Sequence, residues 1–181
     1  MEMLLVALLI FSNLAAPPEQ GPLPAAELDA LRIQLTIELN RDRAAYGLGQ
    51  LGTDRIAQTA AQYQAEQMLA ARRLEHVDSE GRLPMTRYAD FGGKADYYGE
   101  NVGFRSPAVL DEQLLWAVLV KLDQAMMAEI APNDGHRRNI LSENYNAVGI
   151  GIAVGPAGIF MAEDFSGFHA KPPDQQPTPT R

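Results

Sequence analysis

The chain has 181 residues, enough for one domain with a buried core and short appendages. Its 23 acids outnumber 15 bases, a formal net charge of −8, which excludes nucleic acid as the main partner and argues against docking on anionic lipid. Cysteine is absent, which removes disulfides, thiolate metal sites and a Cys nucleophile.

Residues 3–11 are an apolar run too short to span a bilayer and suited to a signal-peptide core. Ser12 to Ala16 supply small residues for cleavage, so residues 1–16 read as a signal peptide, although Met1-Glu2-Met3 lacks the usual basic residue. Without that leader the net charge is −7, because only Glu2 is lost (22 acids − 15 bases). A cysteine-free exported chain suits a bacterial envelope or a secreted bacterial protein. The folded unit is placed at residues 22–169, and residues 170–181, rich in proline, read as a disordered tail.

A first helix runs from Pro24-Ala25 to Tyr46, stopped by Gly47. Leu28, Leu31, Leu35 and Leu39 keep helical spacing, and length decides against the competing strand alternation at Leu31, Ile33, Leu35, Ile37 and Leu39. Thr53-Asp54 caps a second helix to about Arg73, with Ile56, Ala60, Tyr63 and Met68 inward. Residues 76–98 read as loop. Ser106-Pro107 opens a third helix carrying Val109, Leu110, Leu114, Trp116, Val118 and Leu122 and reaching Glu129. Pro132 to Gly135 break the chain again.

Val148, Ile150, Ile152 and Val154 alternate with Gly149, Gly151 and Ala153. This predicts a strand whose bare face admits a closely packed helix. Gly155 to Gly158 turn it into a second strand, Ile159 to Phe165. Helices with short antiparallel strands give an α+β layered domain.

Few polar residues stand out. Of the three histidines, His169 sits at the start of the tail. His76 follows Leu74-Glu75 at a helix end, where a cation meets the helix dipole, and His136 opens a helix after Asn133-Asp134-Gly135. Glu100 lies in Tyr98-Gly99-Glu100-Asn101-Val102-Gly103, and Glu129 ends the Trp116 helix, where an acid wants a partner. No zinc-protease, nucleophile-elbow, phosphate-loop or dinucleotide motif occurs.

The order of His76, then Gly99-Glu100-Asn101-Val102, then Gly135-His136-Arg137-Arg138-Asn139-Ile140-Leu141, then Asn144-Tyr145-Asn146-Ala147-Val148-Gly149-Ile150-Gly151, resembles the CAP superfamily of SCP-like extracellular domains, in its bacterial branch. The stretch from Leu39 to Leu51 is also similar to the start of that domain, and the resemblance covers about residues 26–166. It implies a three-layer α-β-α sandwich with a central antiparallel sheet. It also implies a cleft tetrad of His76, Glu100, Glu129 and His136, with Asp134 competing with Glu129 for the fourth place. His76 and His136 are then the candidate metal ligands, and Zn²⁺ suits imidazole and carboxylate donors.

The resemblance leads to a monomeric exported binding or envelope-interaction module. Its ligand would be a small molecule, lipid or envelope component. A Zn²⁺-dependent hydrolase using the tetrad is the alternative. Two His–carboxylate pairs that only fasten helices to the sheet would need no ligand. Arg137, Arg138, Asn139, Trp116, Met126 and Met127 read as structural.

Overall fold

A computed structural model describes residues 23–106 and 112–169. The expected signal peptide, the Pro-rich tail and the Pro107 to Asp111 start of the third helix lie outside the described residues.

The elements run α1 (Ala25–Ala45), β1 (Gly52–Thr53), α2 (Arg55–Ala71), α3 (Pro84–Asp90), β2 (Tyr97–Arg105), α4 (Glu112–Met127), α5 (Gly135–Ile140), β3 (Ala147–Gly155) and β4 (Gly158–Gly167). The strands form one sheet in the order β1-β3-β4-β2. β2, β3 and β4 are antiparallel, as expected, while the two-residue β1 runs parallel to β3.

Alternate residues of the sheet feed two layers. Val148, Ile150 and Ile152 of β3 and Met161 and Phe165 of β4 pack with Leu31, Leu35 and Leu39 of α1, Leu115 and Leu119 of α4 and Ile140 of α5. Val102, Phe160 and Ala162 face the other way, against Ala61 and Met68 of α2. The sandwich is therefore α1, α4 and α5 on one face and α2 with α3 on the other. The bare strand face does what its composition suggests: a Cβ at Gly149 or Gly151 would strike the α2 backbone at Ala57-Gln58 or Ala61-Gln62.

The α1 leucines settle the helix-versus-strand conflict. Leu31, Leu35 and Leu39 are buried, whereas Ile33 and Ile37 are exposed. Asp54 caps α2 by accepting from the Ile56 and Ala57 amides.

Three expectations are corrected. Residues 76–98 contain α3, which starts at Pro84 because proline's missing N–H costs nothing at a first helical position. Tyr97 and Tyr98, at the end of that stretch, already belong to β2, which carries the Glu100 block as strand because its alternate residues fill both layers. The α2 helix ends at Ala71, with Arg72 left-handed (φ 53°), so His76 lies in the following loop and not on a helix end. The α4 helix stops at Met127, two residues before Glu129.

Candidate functional site

The His76 loop is held from three sides. Buried Gln64 of α2 donates through Nε2 to the Glu75 carbonyl (2.6 Å). Arg87 of α3 donates through Nη1 to the His76 carbonyl (3.3 Å). Asp78 accepts from the Glu80 and Arg82 amides and from Arg82 Nε. The ring that results is half exposed, and its Nδ1 lies 2.7 Å from Glu100 Oε1.

Glu100 points from β2 into the α2–α3 layer, and its other oxygen takes the guanidinium of fully buried Arg87. Asp164 is the cross-strand neighbour of Glu100 and accepts from Tyr98 Oη (2.6 Å). Tyr98 stacks on Tyr88, whose hydroxyl meets Asp54. Two buried carboxyls thus share one cation. Burial pushes Glu100 up to about 7 despite Arg87, and burial with the nearby Glu100 pushes Asp164 well above the carboxylate range. His76 is lowered, by burial first and by Arg87 second, which together outweigh the pull of Asp164.

The second pair is built differently. Glu129 turns back from the end of α4 so that Oε1 meets His136 Nδ1 (2.5 Å) while Oε2 accepts the His136 amide (3.0 Å). The carboxylate therefore orients the ring and caps the start of α5. Burial works to raise Glu129, but the His136 bonds hold it below the usual range. Asp134, the competitor, turns to Arg138 instead.

The four residues come together as two separate pairs, on either side of β2, an edge strand of the sheet among the described residues. Glu100 and Asn101 point to opposite faces. Asn101 Nδ2 donates to the His136 carbonyl (3.3 Å), and Asn139 Nδ2 donates to the Glu100 carbonyl (3.3 Å) and to Asn101 Oδ1 (2.9 Å). These amides bolt α5 to the strand between the two histidines. An ionised carboxylate can only accept, which applies to Glu129 at neutral pH and to Glu100 above about 7, so a neutral ring then carries its proton on Nδ1 and leaves Nε2 bare.

A zinc ion would find those two Nε2 atoms. Both carboxylates are already engaged, and no group of three or more His, Asp or Glu among the described residues is disposed to hold a metal. That falls short of the three protein ligands usual at catalytic zinc. The exposed groove between α1 and α2, lined by Arg32, Ile33, Ile37 and Val148, lies at the opposite edge of the sheet and touches none of the four residues.

Sequence reasoning missed Arg87, Tyr98 and Asp164. Their signal was present in part: Glu163-Asp164 interrupts an otherwise apolar strand, and two acids there demand buried partners.

The profile of the CAP family, the cysteine-rich secretory protein family, matches residues 37–165. The chain belongs to the CAP family. Its fold is shared with an extracellular SCP-domain protein from Bacillus anthracis (TM-score 0.62, 18% identity, covering 82% of this chain and 45% of that one). It is shared also with an outer surface protein from Borrelia burgdorferi (0.62, 14%, 82% and 98%). A cysteine-rich secretory protein from Staphylococcus aureus is a third (0.53, 18%, 80% and 41%). The CAP chain thus spans less than half the length of the Bacillus and Staphylococcus proteins. No curated protein matches the sequence.

Proposed function

We propose that this CAP domain is an exported binding module whose ligand docks along the outer edge of β2, between the His76–Glu100 and His136–Glu129 pairs. The observation that carries the reading is the pair geometry: each partly exposed ring is fixed through Nδ1 and keeps Nε2 for a ligand. Exposed aliphatic side chains flank both rings in sequence, Leu74 and Val77 around His76 and Ile130 beside Glu129. Such a surface suits a small amphipathic envelope molecule, with a polar group for the imidazoles and an apolar part for the flanks. Two of the structural relatives are an extracellular and an outer surface protein, and no described helix is long and apolar enough to cross a membrane.

The test is retention. The protein is incubated with a lipid and small-molecule extract of bacterial envelope, isolated by gel filtration, and its bound molecules are read by mass spectrometry. A species kept by the wild type and lost by the folded His76→Ala/His136→Ala variant supports the reading. Equal retention by both overturns it. The zinc hydrolase is the second reading, favoured only by the bare Nε2 atoms. Zinc titration by calorimetry on the same two proteins decides it, and a saturable 1:1 site present only in the wild type would revive it.

A further inference from the structure

Glu163 and Asp123 take no part in either His–carboxylate pair, yet both are buried, at 0% and 1% exposure. Glu163 points from the middle of β4 into the α1–α4–α5 layer, and Asp123 points in from α4. Glu163 Oε2 accepts from Asn101 Nδ2 (3.1 Å), while Glu163 Oε1 and Asp123 Oδ1 have no hydrogen-bond partner. The charged groups around the pair are nearly all of one sign. Glu38 and Asp42 face Asp123 from α1, and Asp164 lies behind Glu163 on the other side of β4. Arg41, on α1, is exposed and bonded to Glu38. From β2 the neutral amide of Asn101 meets Glu163, and the neutral amide of Asn139 on α5 bonds Asn101 in turn. Among the described residues no cation compensates the two carboxyls.

Ionising both would leave two uncompensated charges in the core, so the folded chain keeps a proton there. The location gives that proton a consequence. The Asn101 amide that holds Glu163 also holds the His136 carbonyl, and Glu129 follows two residues after the end of the helix that carries Asp123. The acid pair therefore lies beneath the Glu129–His136 arm and is tied to it at both ends.

We propose that the proton held at Glu163 and Asp123 latches α4 and α5 onto the sheet, and that its loss at rising pH loosens the Glu129–His136 arm. Burial raises both carboxyls above their usual range, Asp123 to about 7 with Asp42 and Glu38 adding to the rise, and Glu163 with Asp123 and Asp164 adding to it, which places the release between neutral and alkaline pH. As control over a ligand site, the latch rests on the binding reading above. It is tested without ligand, so the two stand or fall separately.

The experiment is amide hydrogen exchange of the full chain, with rates corrected for intrinsic exchange, from about pH 5 to about pH 9. Protection of α4 and α5 is expected to fall about tenfold relative to that of α2 over this range. Glu163→Gln, which keeps an uncharged group of the same shape, should make that ratio flat. Asp123→Asn, the variant on the other side of the latch, should do the same. A wild-type ratio that stays constant with pH overturns the proposal. So does a ratio that falls in a folded variant as it does in the wild type.

Discussion

Arg43 carries a full charge into the core at 2% exposure and, among the described residues, meets no carboxylate there. Its guanidinium donates instead to the carbonyls of Gly49, Ile140, Ser142 and Tyr145, at 2.8 to 3.1 Å. One side chain thus ties the end of α1 to the turn after α5. Arg43→Met keeps the apolar stem but strands four carbonyls, and should cost on the order of 3 kcal/mol in urea unfolding. Arg43→Lys should recover only part of that loss, because an ammonium cannot reproduce the planar fork. Arg87 is the matching case beneath the site. Removing it by Arg87→Met leaves Glu100 buried without its cation, and about 3–5 kcal/mol should be lost. A loss under about 1 kcal/mol would mean that Glu100 is held neutral without it.

At the scale of elements, the contact between α2 and β3 depends on two missing side chains. Gly151→Ala would drive its methyl into the Ala61 carbonyl, and backbone cannot rotate away as a side chain can. It should destabilise by about 1–3 kcal/mol or more, while Gly49→Ala, with open space around it, should change little. Thermal unfolding of the two variants side by side checks this. The same contact shows what the sequence discloses. Alternating glycines opposite aliphatics in β3 announce a close-packed helix, and leucines at i, i+4, i+8 announce α1. Three elements were hidden. β1 has only two residues and exists through pairing with Ala147 and Val148. α3 has seven residues, too few to show a period. β2 reads Tyr-Tyr-Gly-Glu-Asn-Val-Gly, whose polar residues are buried in layers that supply their partners from far along the chain. Periodicity cannot see a strand stabilised by Arg87, Asp164 and Asn139.

For the whole molecule, the order of the motifs gave the family, while the pairing inside the site did not follow from order. Nothing local to Glu100 says that Arg87 and Asp164 share its pocket. Nothing local to Glu129 says that it turns back past the end of α4. A global consequence follows from the buried acids. Glu100 and Asp123 are both raised to about 7, and burial also raises Glu163 and Asp164 well above their ordinary range. Between their unfolded and folded values the native state holds protons that the unfolded chain releases. Stability from these groups is therefore complete below about pH 4 and declines as pH rises through about 7. His76 acts in the opposite sense, since its lowered value removes stability as pH falls through its folded range. It is one half-exposed group against four buried ones. The urea midpoint should accordingly be higher near pH 5.5 than near pH 8.5, and a midpoint that rises across that interval would contradict the charge balance assigned to the core.

The central claim is that both histidines are fixed through Nδ1 and turn Nε2 to a ligand. Nitrogen-15 NMR of the two imidazole rings near pH 8.5 tests it most directly, because the protonated and bare ring nitrogens have well-separated shifts. The account predicts the Nδ1–H tautomer at both His76 and His136. The Nε2–H tautomer at either ring, or rapid averaging between the two, would mean that its carboxylate does not hold it, and the paired site would not stand.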